Sequence, residues 1–256
     1  MKTWHLYIPF LYPLPFALLL VAISANFGIT SVEQGLLICF GGLGSLDMLS
    51  FWQILLCGIV WFPPLIIFGS RLADQLNRAA VYIFPRTQSR MRWYAKEIRI
   101  TAIYACIYYL LLLMIYIASL ILLDISISQP HTMHVALTAI LGAVVLNQLA
   151  LIICSNVLHL KVQAHFVILF LVVLYFPGQI AMNWPHNLPW LKMLYPPSQT
   201  ALSLHNIPEL NELMGFYFER TIPGFSVTFS VAYNVILITL IISLGAHFLR
   251  KKNLTV

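Results

Sequence analysis

The sequence predicts an all-α integral membrane protein with six transmembrane helices and both termini in the cytoplasm. Three observations predict this class: the composition, six long uncharged apolar runs, and an uneven distribution of charge. Hydrophobic residues make up 61% of the 256 residues and charged residues only 9%, whereas a soluble domain carries about 25% charged residues. A water-soluble globule is therefore excluded, and we expect one transmembrane domain over residues 1–256.

Six runs are apolar enough to cross a bilayer, whose core of about 30 Å requires about 20 residues of helix. None of them contains Asp, Glu, Lys or Arg. We expect the first run to be a retained span, bent by three prolines, and the fifth and shortest run to be kinked near Pro177. The predicted spans are Leu6–Ser24, Leu49–Phe68, Ile100–Leu123, Val135–Leu158, Phe166–Met182 and Phe225–Phe248.

The charges between the spans predict the orientation. One side carries all but two of the 14 Lys and Arg residues, together with the acids Asp74 and Glu97. The other side carries the basic residues Lys192 and Arg220. Because cytoplasmic loops collect Lys and Arg, the basic side is assigned to the cytoplasm. The net charge of +6 is then explained by topology, and no nucleic-acid partner is implied. The acids of the outer side are Glu33, Asp47, Asp124, Glu209, Glu212 and Glu219.

The inner connection between the second and third spans, Arg71–Arg99, is long and basic. Its apolar residues recur at helical spacing from Leu72 to Ile83, and Pro85 must interrupt that helix. A second helix can start near Thr87 or Ser89 and continue into the third span. We therefore expect a helix–break–helix elbow at the cytoplasmic surface.

Two outer connections are also informative. The segment Asn183–Gly224 contains six prolines, yet its apolar pieces, such as Leu188–Tyr195, are too short to span. We expect re-entrant or interfacial helices there, with aromatic residues at headgroup depth. The glycine-rich loop Ala25–Met48 either dips into the membrane or forms an ordinary cap.

Residues that would carry chemistry are scarce. Without a charge inside the spans, an ion-driven carrier is disfavoured. The chain contains no HExxH, G-x-S-x-G or phosphate-cradling P-loop sequence. We therefore expect no catalytic residue, metal site or cofactor in this chain, and small hydrophobic roles for its four cysteines. The polar residues within the spans are expected to hydrogen-bond between helices: Gln53, Asn147, Gln148, Ser155, Asn156, Gln179 and Asn234.

The stretch Tyr82-Ile83-Phe84-Pro85-Arg86-Thr87-Gln88-Ser89-Arg90-Met91-Arg92-Trp93-Tyr94 resembles the elbow of a known family, the permease subunits of type-2 ABC exporters. It looks like the elbow of small permeases found beside bacteriocin or antimicrobial-peptide export or self-immunity ATPases in Gram-positive bacteria. The pieces Leu188–Lys192 and Tyr195–Ser198 resemble the outer gate after the fifth span of that family.

The resemblance implies a multi-pass protein of the bacterial plasma membrane that exports a peptide. It implies an ATP-binding cassette subunit, which would bind ATP and Mg, and a second permease chain in a homodimer or heterodimer. The residues expected to couple to the ATPase are Tyr82, Phe84, Pro85, Arg86, Arg90, Arg92 and Trp93. The residues expected at the outer gate are Trp184, Trp190, Tyr195 and Pro196.

Two alternatives stay open at this point. The elbow arginines have a simpler explanation as determinants of topology, with the Trp at the membrane interface. The whole chain has a second explanation as a stand-alone membrane protein that binds or sequesters a peptide, as an immunity protein would, without transport.

Overall fold

The computed structural model describes residues 11–42, 51–76, 90–180, 189–218 and 221–251, which form helices and turns and no strand. Short 3-10 turns lie at Ala25–Phe27, Pro196–Thr200, Leu202–Leu204 and Gly215–Phe218. The helices are α1 (Pro13–Ser24), α2 (Val32–Phe40), α3 (Phe51–Phe68), α4 (Arg90–Leu122), α5 (Pro130–Leu158), α6 (Ala164–Ile180), α7 (Pro189–Leu194), α8 (Pro208–Leu213) and α9 (Val227–Lys251).

Four of the described helices are long and apolar enough to cross a membrane: Leu55–Leu76, Arg90–Leu122, Pro130–Leu158 and Val227–Arg250. They correspond to the second, third, fourth and sixth predicted spans. Helix α6 coincides with the fifth predicted span, and its apolar part, His165–Leu174, is shorter. The described chain is thus all-helical, as predicted. Four of its helices could span a membrane, or five if the bent pair described next counts as one span, against the six predicted spans.

The first predicted span ends in a sharp bend. Pro13–Phe27 and Val32–Phe40 meet at 110° and together count as one broken span or a re-entrant loop. Gly28 makes the reversal with a φ of 62°, a conformation that glycine adopts at little cost. The Ser31 side chain then accepts a hydrogen bond from the Gln34 N–H and caps α2.

Helix α2 is the longest element in the described part of the glycine-rich loop, and it packs into the protein. Its residues Leu36, Leu37 and Phe40 are fully buried. The Glu33 carboxylate is also fully buried and accepts hydrogen bonds from the backbone N–H groups of Ser128 and Gln129, at 3.0–3.2 Å. These groups precede the first turn of α5, where a negative charge is favourable. Glu33 therefore joins the end of α2 to the start of α5.

Helix α5 lies at the centre of the bundle and contacts α3, α4, α6 and α9. It contains a π-helical segment, Ile140–Val145. Buried hydrophobic side chains form a large cluster along the spans and a smaller, separate cluster at the end that carries the basic residues. This smaller group is called the inner cluster below. It contains Leu72, Leu76, Trp93, Tyr94, Ile98, Ile153, Val157, Leu160 and Leu249.

Candidate functional site

The inner cluster joins four helices at the end where the elbow was predicted. Leu72 and Leu76 come from the continuation of α3, and Trp93 and Tyr94 come from the first turns of α4. Ile98 also lies on α4. The other members lie at the end of α5 or just after it, and near the end of α9. The cluster therefore packs the described residues on both sides of the predicted elbow against α5 and α9.

Asn156 of α5 bridges a break in the neighbouring span. Helix α3 ends at Phe68, a two-residue turn follows, and the helix resumes at residue 71. The fully buried Asn156 amide donates to the Phe68 carbonyl at 2.7 Å, and its Oδ1 accepts from the Leu72 N–H at 2.8 Å. Both backbone groups lie beside the break, where the regular helical bonds are interrupted. One side chain of α5 thus holds the two sides of the break together.

A charge pair adds a second connection at the same end. The Arg71 guanidinium lies 3.5 Å from Glu97 Oε2 on α4 and 4.8 Å from the centre of the Tyr104 ring. Glu97 is buried, and it is turned inward, toward Arg71. A half-buried pair of this kind, with a cation–π contact, favours one relative position of α3 and α4.

Helix α9 approaches α4 and α5 closely at Gly245. A Cβ atom at this position would meet the Tyr94 hydroxyl, and it would lie 2.7 Å from Cγ2 of Val157. The Tyr94 hydroxyl donates to the Ile242 carbonyl of α9 at 3.0 Å. The absence of a side chain at Gly245 therefore allows the hydrogen bond between α4 and α9.

The structure divides the predicted coupling residues into three groups. Tyr82, Phe84, Pro85 and Arg86 lie outside the described residues. Arg90 and Arg92 are exposed at the start of α4. Trp93, by contrast, is only 6% exposed and packs in the inner cluster. The spacing of residues along the elbow could not reveal this burial, because the helices that cover Trp93 are distant in sequence.

The outer segment folds over the other end of the bundle, and residues 189–226 are called the outer cap. The Tyr195 hydroxyl donates to the Leu174 carbonyl of α6 at 2.6 Å, and the Pro196 carbonyl accepts from Asn147 of α5 at 3.1 Å. Two predicted gate residues therefore attach the cap to two spans. Trp190 is 57% exposed on α7, and Trp184 lies outside the described residues.

The outer cap also reaches the end of α2. The Gly41 carbonyl accepts from the Leu202 N–H at 2.8 Å and from the Tyr217 hydroxyl at 2.5 Å. Lys192, assigned by sequence to the outer side, is 3% exposed within the cap. The cap is thus a packed unit of short helices and 3-10 turns, and it contacts α5 and α6 and is hydrogen-bonded to the end of α2 and to α9.

A buried histidine network, which the sequence did not indicate, connects the cap to α9. His205 Nδ1 lies 2.9 Å from the Ala201 carbonyl, and Nε2 lies 2.7 Å from the Ser230 hydroxyl, which donates to Gln199 Oε1 at 2.7 Å. The His205 ring stacks on Phe225, with 4.0 Å between centroids. Burial lowers the pKa of His205 to about 4, although the Ala201 carbonyl raises it. The imidazole is therefore neutral at pH 7.

The positions of the protons in this network follow from its hydrogen-bond partners. A carbonyl only accepts, so the Ala201 contact requires the proton on Nδ1 of the neutral ring. Nε2 is then an acceptor, and the single Ser230 hydroxyl proton serves either His205 or Gln199 at one time. All three side chains are fully buried, so the arrangement holds the cap against α9 without presenting Ser230 to solvent.

Some polar residues of the spans form hydrogen bonds between helices, and one has no hydrogen-bond partner among the described residues. Asn147 Nδ2 donates to Oδ1 of Asn234 at 2.8 Å and so joins α5 to α9. This contact confirms the interhelical role predicted for the pair, as the Asn156 contacts do for that residue. Gln148 is fully buried, and among the described residues neither of its amide atoms has a hydrogen-bond partner. The side chains of Gln53 and Gln179 are not described.

No cluster of three or more His, Cys, Asp or Glu side chains that could hold a metal ion occurs within the described ranges. The cysteines Cys39 and Cys57 are buried, and Cys106 and Cys154 are half-buried. Polar groups in the described part instead form helix-to-helix contacts at the two ends.

A helical bundle of this composition, with four or five helices able to cross a bilayer, fits the class of multi-pass membrane proteins. Within that class, the chain belongs to the family described as "Protein of unknown function (DUF2705)", which matches residues 17–255. No curated protein and no solved structure matches the chain.

Proposed function

We propose that this chain is the permease subunit of an ATP-binding cassette exporter in the bacterial plasma membrane. Its cargo is an amphipathic or antimicrobial peptide, moved out of the cell or out of the membrane. In this proposal the chain has six spans with both termini inside, and it pairs with a second permease chain. A separate subunit binds ATP and Mg and hydrolyses ATP.

The observation that carries the proposal is the construction of the inner end. A transporter driven by a separate ATPase needs a surface that receives force and a connection from that surface to the spans. The elbow supplies the surface in this proposal, with Arg86, Arg90 and Arg92 contacting the ATPase. The inner cluster, Asn156 and the Arg71–Glu97 pair supply the connection.

Trp93 has a different role in this proposal from that of the arginines. Since its indole is buried between helices, it passes movement of the elbow to α5 and α9. At the outer end, the cap is the gate. Tyr195 and Pro196 attach it to α6 and α5, and Trp190 faces the exterior or the headgroups.

The deciding experiment replaces Arg86, Arg90 and Arg92 together by Lys. The positive charge is kept, so membrane insertion should be normal. Lys cannot reproduce the planar, bidentate contact of a guanidinium with a carboxylate. Because the loss of a buried charge contact across an interface costs about 2–5 kcal/mol, we expect the variant to bind the ATPase subunit at least tenfold more weakly. Binding is measured by co-purification with the ATP-binding cassette subunit of the proposed exporter.

The matched control is Arg250→Lys, a change of the same kind at an exposed position on α9. It should leave co-purification and ATP turnover unchanged. If the triple Lys variant also keeps full assembly and turnover, the arginines are only topology determinants, and the coupling assignment is wrong. If cells that contain this chain without the ATP-binding cassette subunit are protected against the peptide, the stand-alone immunity alternative is favoured.

A further inference from the structure

One face of α4 is exposed from the first turn of the helix to its last. This face is basic near the start of the helix and apolar along the rest. The residues of this face are separated by three, four or seven positions, which keeps them in one line on a helix. The first three are basic and the remainder are apolar. We call this line the α4 stripe. It consists of Arg92, Lys96, Arg99, Ile103, Leu110, Met114 and Ile121.

The apolar part of the stripe matches the bilayer in length. Its four members are between 47% and 65% exposed. From Ile103 to Ile121 the helix rises about 27 Å at 1.5 Å per residue, close to the bilayer core of about 30 Å. When α4 crosses the bilayer, this length places the border between Arg99 and Ile103 at one membrane surface, with Lys96 and Arg99 at the depth of the lipid headgroups.

The basic and acidic side chains in this part of α4 lie on different faces of the helix. Lys96 and Arg99 are exposed on the same face as the apolar residues. Glu97, the acid of this segment, is turned the other way and pairs with Arg71. Among the described residues of α4, no acidic side chain therefore shares this face with Lys96 and Arg99. Long basic side chains at this depth place their charge in the headgroup layer, while their methylenes cover apolar surface.

We propose that the basic end of the α4 stripe binds anionic phospholipid headgroups of the cytoplasmic leaflet. Phosphatidylglycerol is the representative lipid of this class. The phosphate is held by Lys96 and Arg99, and the acyl chains lie along the apolar part of the same face. Basic groups next to a membrane surface attract acidic lipids in this way. The proposal does not depend on the proposed exporter function, since it requires only that α4 crosses the membrane with its basic end at the cytoplasmic side.

The sign of the charge favours lipid over a second copy of this chain. In a two-fold dimer the same patch of each copy meets at the interface. Contact through the α4 stripe would bring Lys96 and Arg99 of one copy against the same cations of the other, and like charges across an interface are unfavourable. An anionic headgroup neutralises them.

The test is native mass spectrometry of the full chain in detergent, titrated with phosphatidylglycerol or phosphatidylcholine. We expect the first phosphatidylglycerol to bind the unaltered protein at least fivefold more tightly than the first phosphatidylcholine. Lys96→Gln with Arg99→Gln should reduce this preference to less than twofold. Gln is a good helix former, so α4 is retained. Arg92 interacts within the chain and is left unchanged in every variant.

Two controls make the result specific. Lys161→Gln with Arg250→Gln removes the same charge from exposed inner positions outside α4 and should keep the preference. Lys96→Arg with Arg99→Lys keeps the charge and should also keep it. An equal loss in the Lys161/Arg250 variant would show that net charge alone is responsible, and this outcome overturns the proposal.

A stripe variant that keeps the lipid preference also overturns the proposal. If that variant instead loses the ATPase subunit on purification, the stripe is a protein-docking surface. Conversely, failure of the elbow arginines to bind an ATPase would reject the exporter mechanism and leave the lipid site standing.

Discussion

At the scale of single residues, the buried polar side chains explain how helices of nearly uniform apolar surface find one arrangement. Helices in lipid gain little from burying apolar surface against each other, so packing and hydrogen bonds determine their positions. Asn147, Asn156 and Glu33 each satisfy backbone or side-chain groups of a different helix. Their loss should therefore cost more than the loss of an exposed polar group.

Asn156→Ala tests this point directly. The change leaves the Phe68 carbonyl and the Leu72 N–H without their side-chain partner in a buried place. Since an unsatisfied buried group costs about 1–3 kcal/mol, we expect about 2–4 kcal/mol of lost stability, measured by unfolding in mixed micelles. Asn26→Ala removes an exposed side-chain bond to the Ala22 carbonyl and should cost less than about 1 kcal/mol. Equal effects would contradict the bridging role.

His205 predicts a particular dependence of stability on pH. Its pKa in the folded protein, about 4, lies below the usual value near 6.5. Between these values the unfolded chain binds the proton more readily, so stability falls as the pH falls from about 6.5 toward 4. The decline attributable to His205 is at most about 1.4 kcal/mol per pH unit.

The matched variant for this prediction is His205→Asn. An Asn amide can still donate to the Ala201 carbonyl, but it does not titrate. We expect the melting temperature of the variant to change less between pH 7.5 and pH 5 than that of the unaltered protein. Identical slopes for the two proteins would show that His205 is protonated in the folded state or is not buried.

At the scale of elements, the inner cluster depends on a close crossing of α9 with α4 and α5. Gly245→Ala places a methyl group against the Tyr94 hydroxyl and Val157. Overpacking of this kind costs about 1–3 kcal/mol, so we expect a lower melting temperature. Tyr94→Phe in the same chain should recover part of the loss, because it removes the atom nearest to the new methyl group.

Gly58→Ala is the control for the crossing. It also lies in a helix, but a Cβ there would meet only Phe62, at ordinary contact distances of 3.5 and 3.6 Å. Since Ala is a better helix former than Gly by about 1 kcal/mol, this change should leave the melting temperature equal or higher. Loss of stability in both variants would indicate a general intolerance of these helices to Ala.

At the scale of the whole molecule, the two ends of the bundle differ in chemistry. The inner end carries exposed cations and a hydrophobic cluster, whereas the outer end is covered by a cap of short helices held by hydrogen bonds. In the proposed exporter these ends have separate tasks, which are contact with the ATPase and control of the exit.

The orientation of the molecule can be measured with cysteines placed at Glu209 and Lys161, one at a time, in a chain whose native cysteines are replaced. Both positions are exposed in the structure, so access depends on the side of the membrane. A membrane-impermeant thiol reagent should label intact cells at position 209 and not at position 161, because the distribution of charge predicts that the basic side is cytoplasmic. Labelling at position 161 in sealed cells would reverse the orientation and reject the coupling proposal.

The sequence by itself determined the class of the fold and the position of most apolar helices. Composition and charge-free runs report how each segment interacts with water and lipid, and this property is local. It was therefore possible to place α3, α4, α5 and α9 within a few residues. The interhelical role of Asn147 and Asn234 was also predictable, because a polar amide in an apolar run needs a partner.

Only the tertiary structure decided which polar and aromatic residues are buried between elements. The sequence neighbours of Trp93 and Lys192 predict positions at the membrane interface or on the outer side, yet both residues are buried. Glu33 and His205 lie in segments predicted to be outer loops. Glu33 nevertheless connects α2 to the start of α5, and His205 connects the cap to α9. Their surroundings come from helices many positions away, and a pattern of neighbouring residues carries no information about contacts made across such distances.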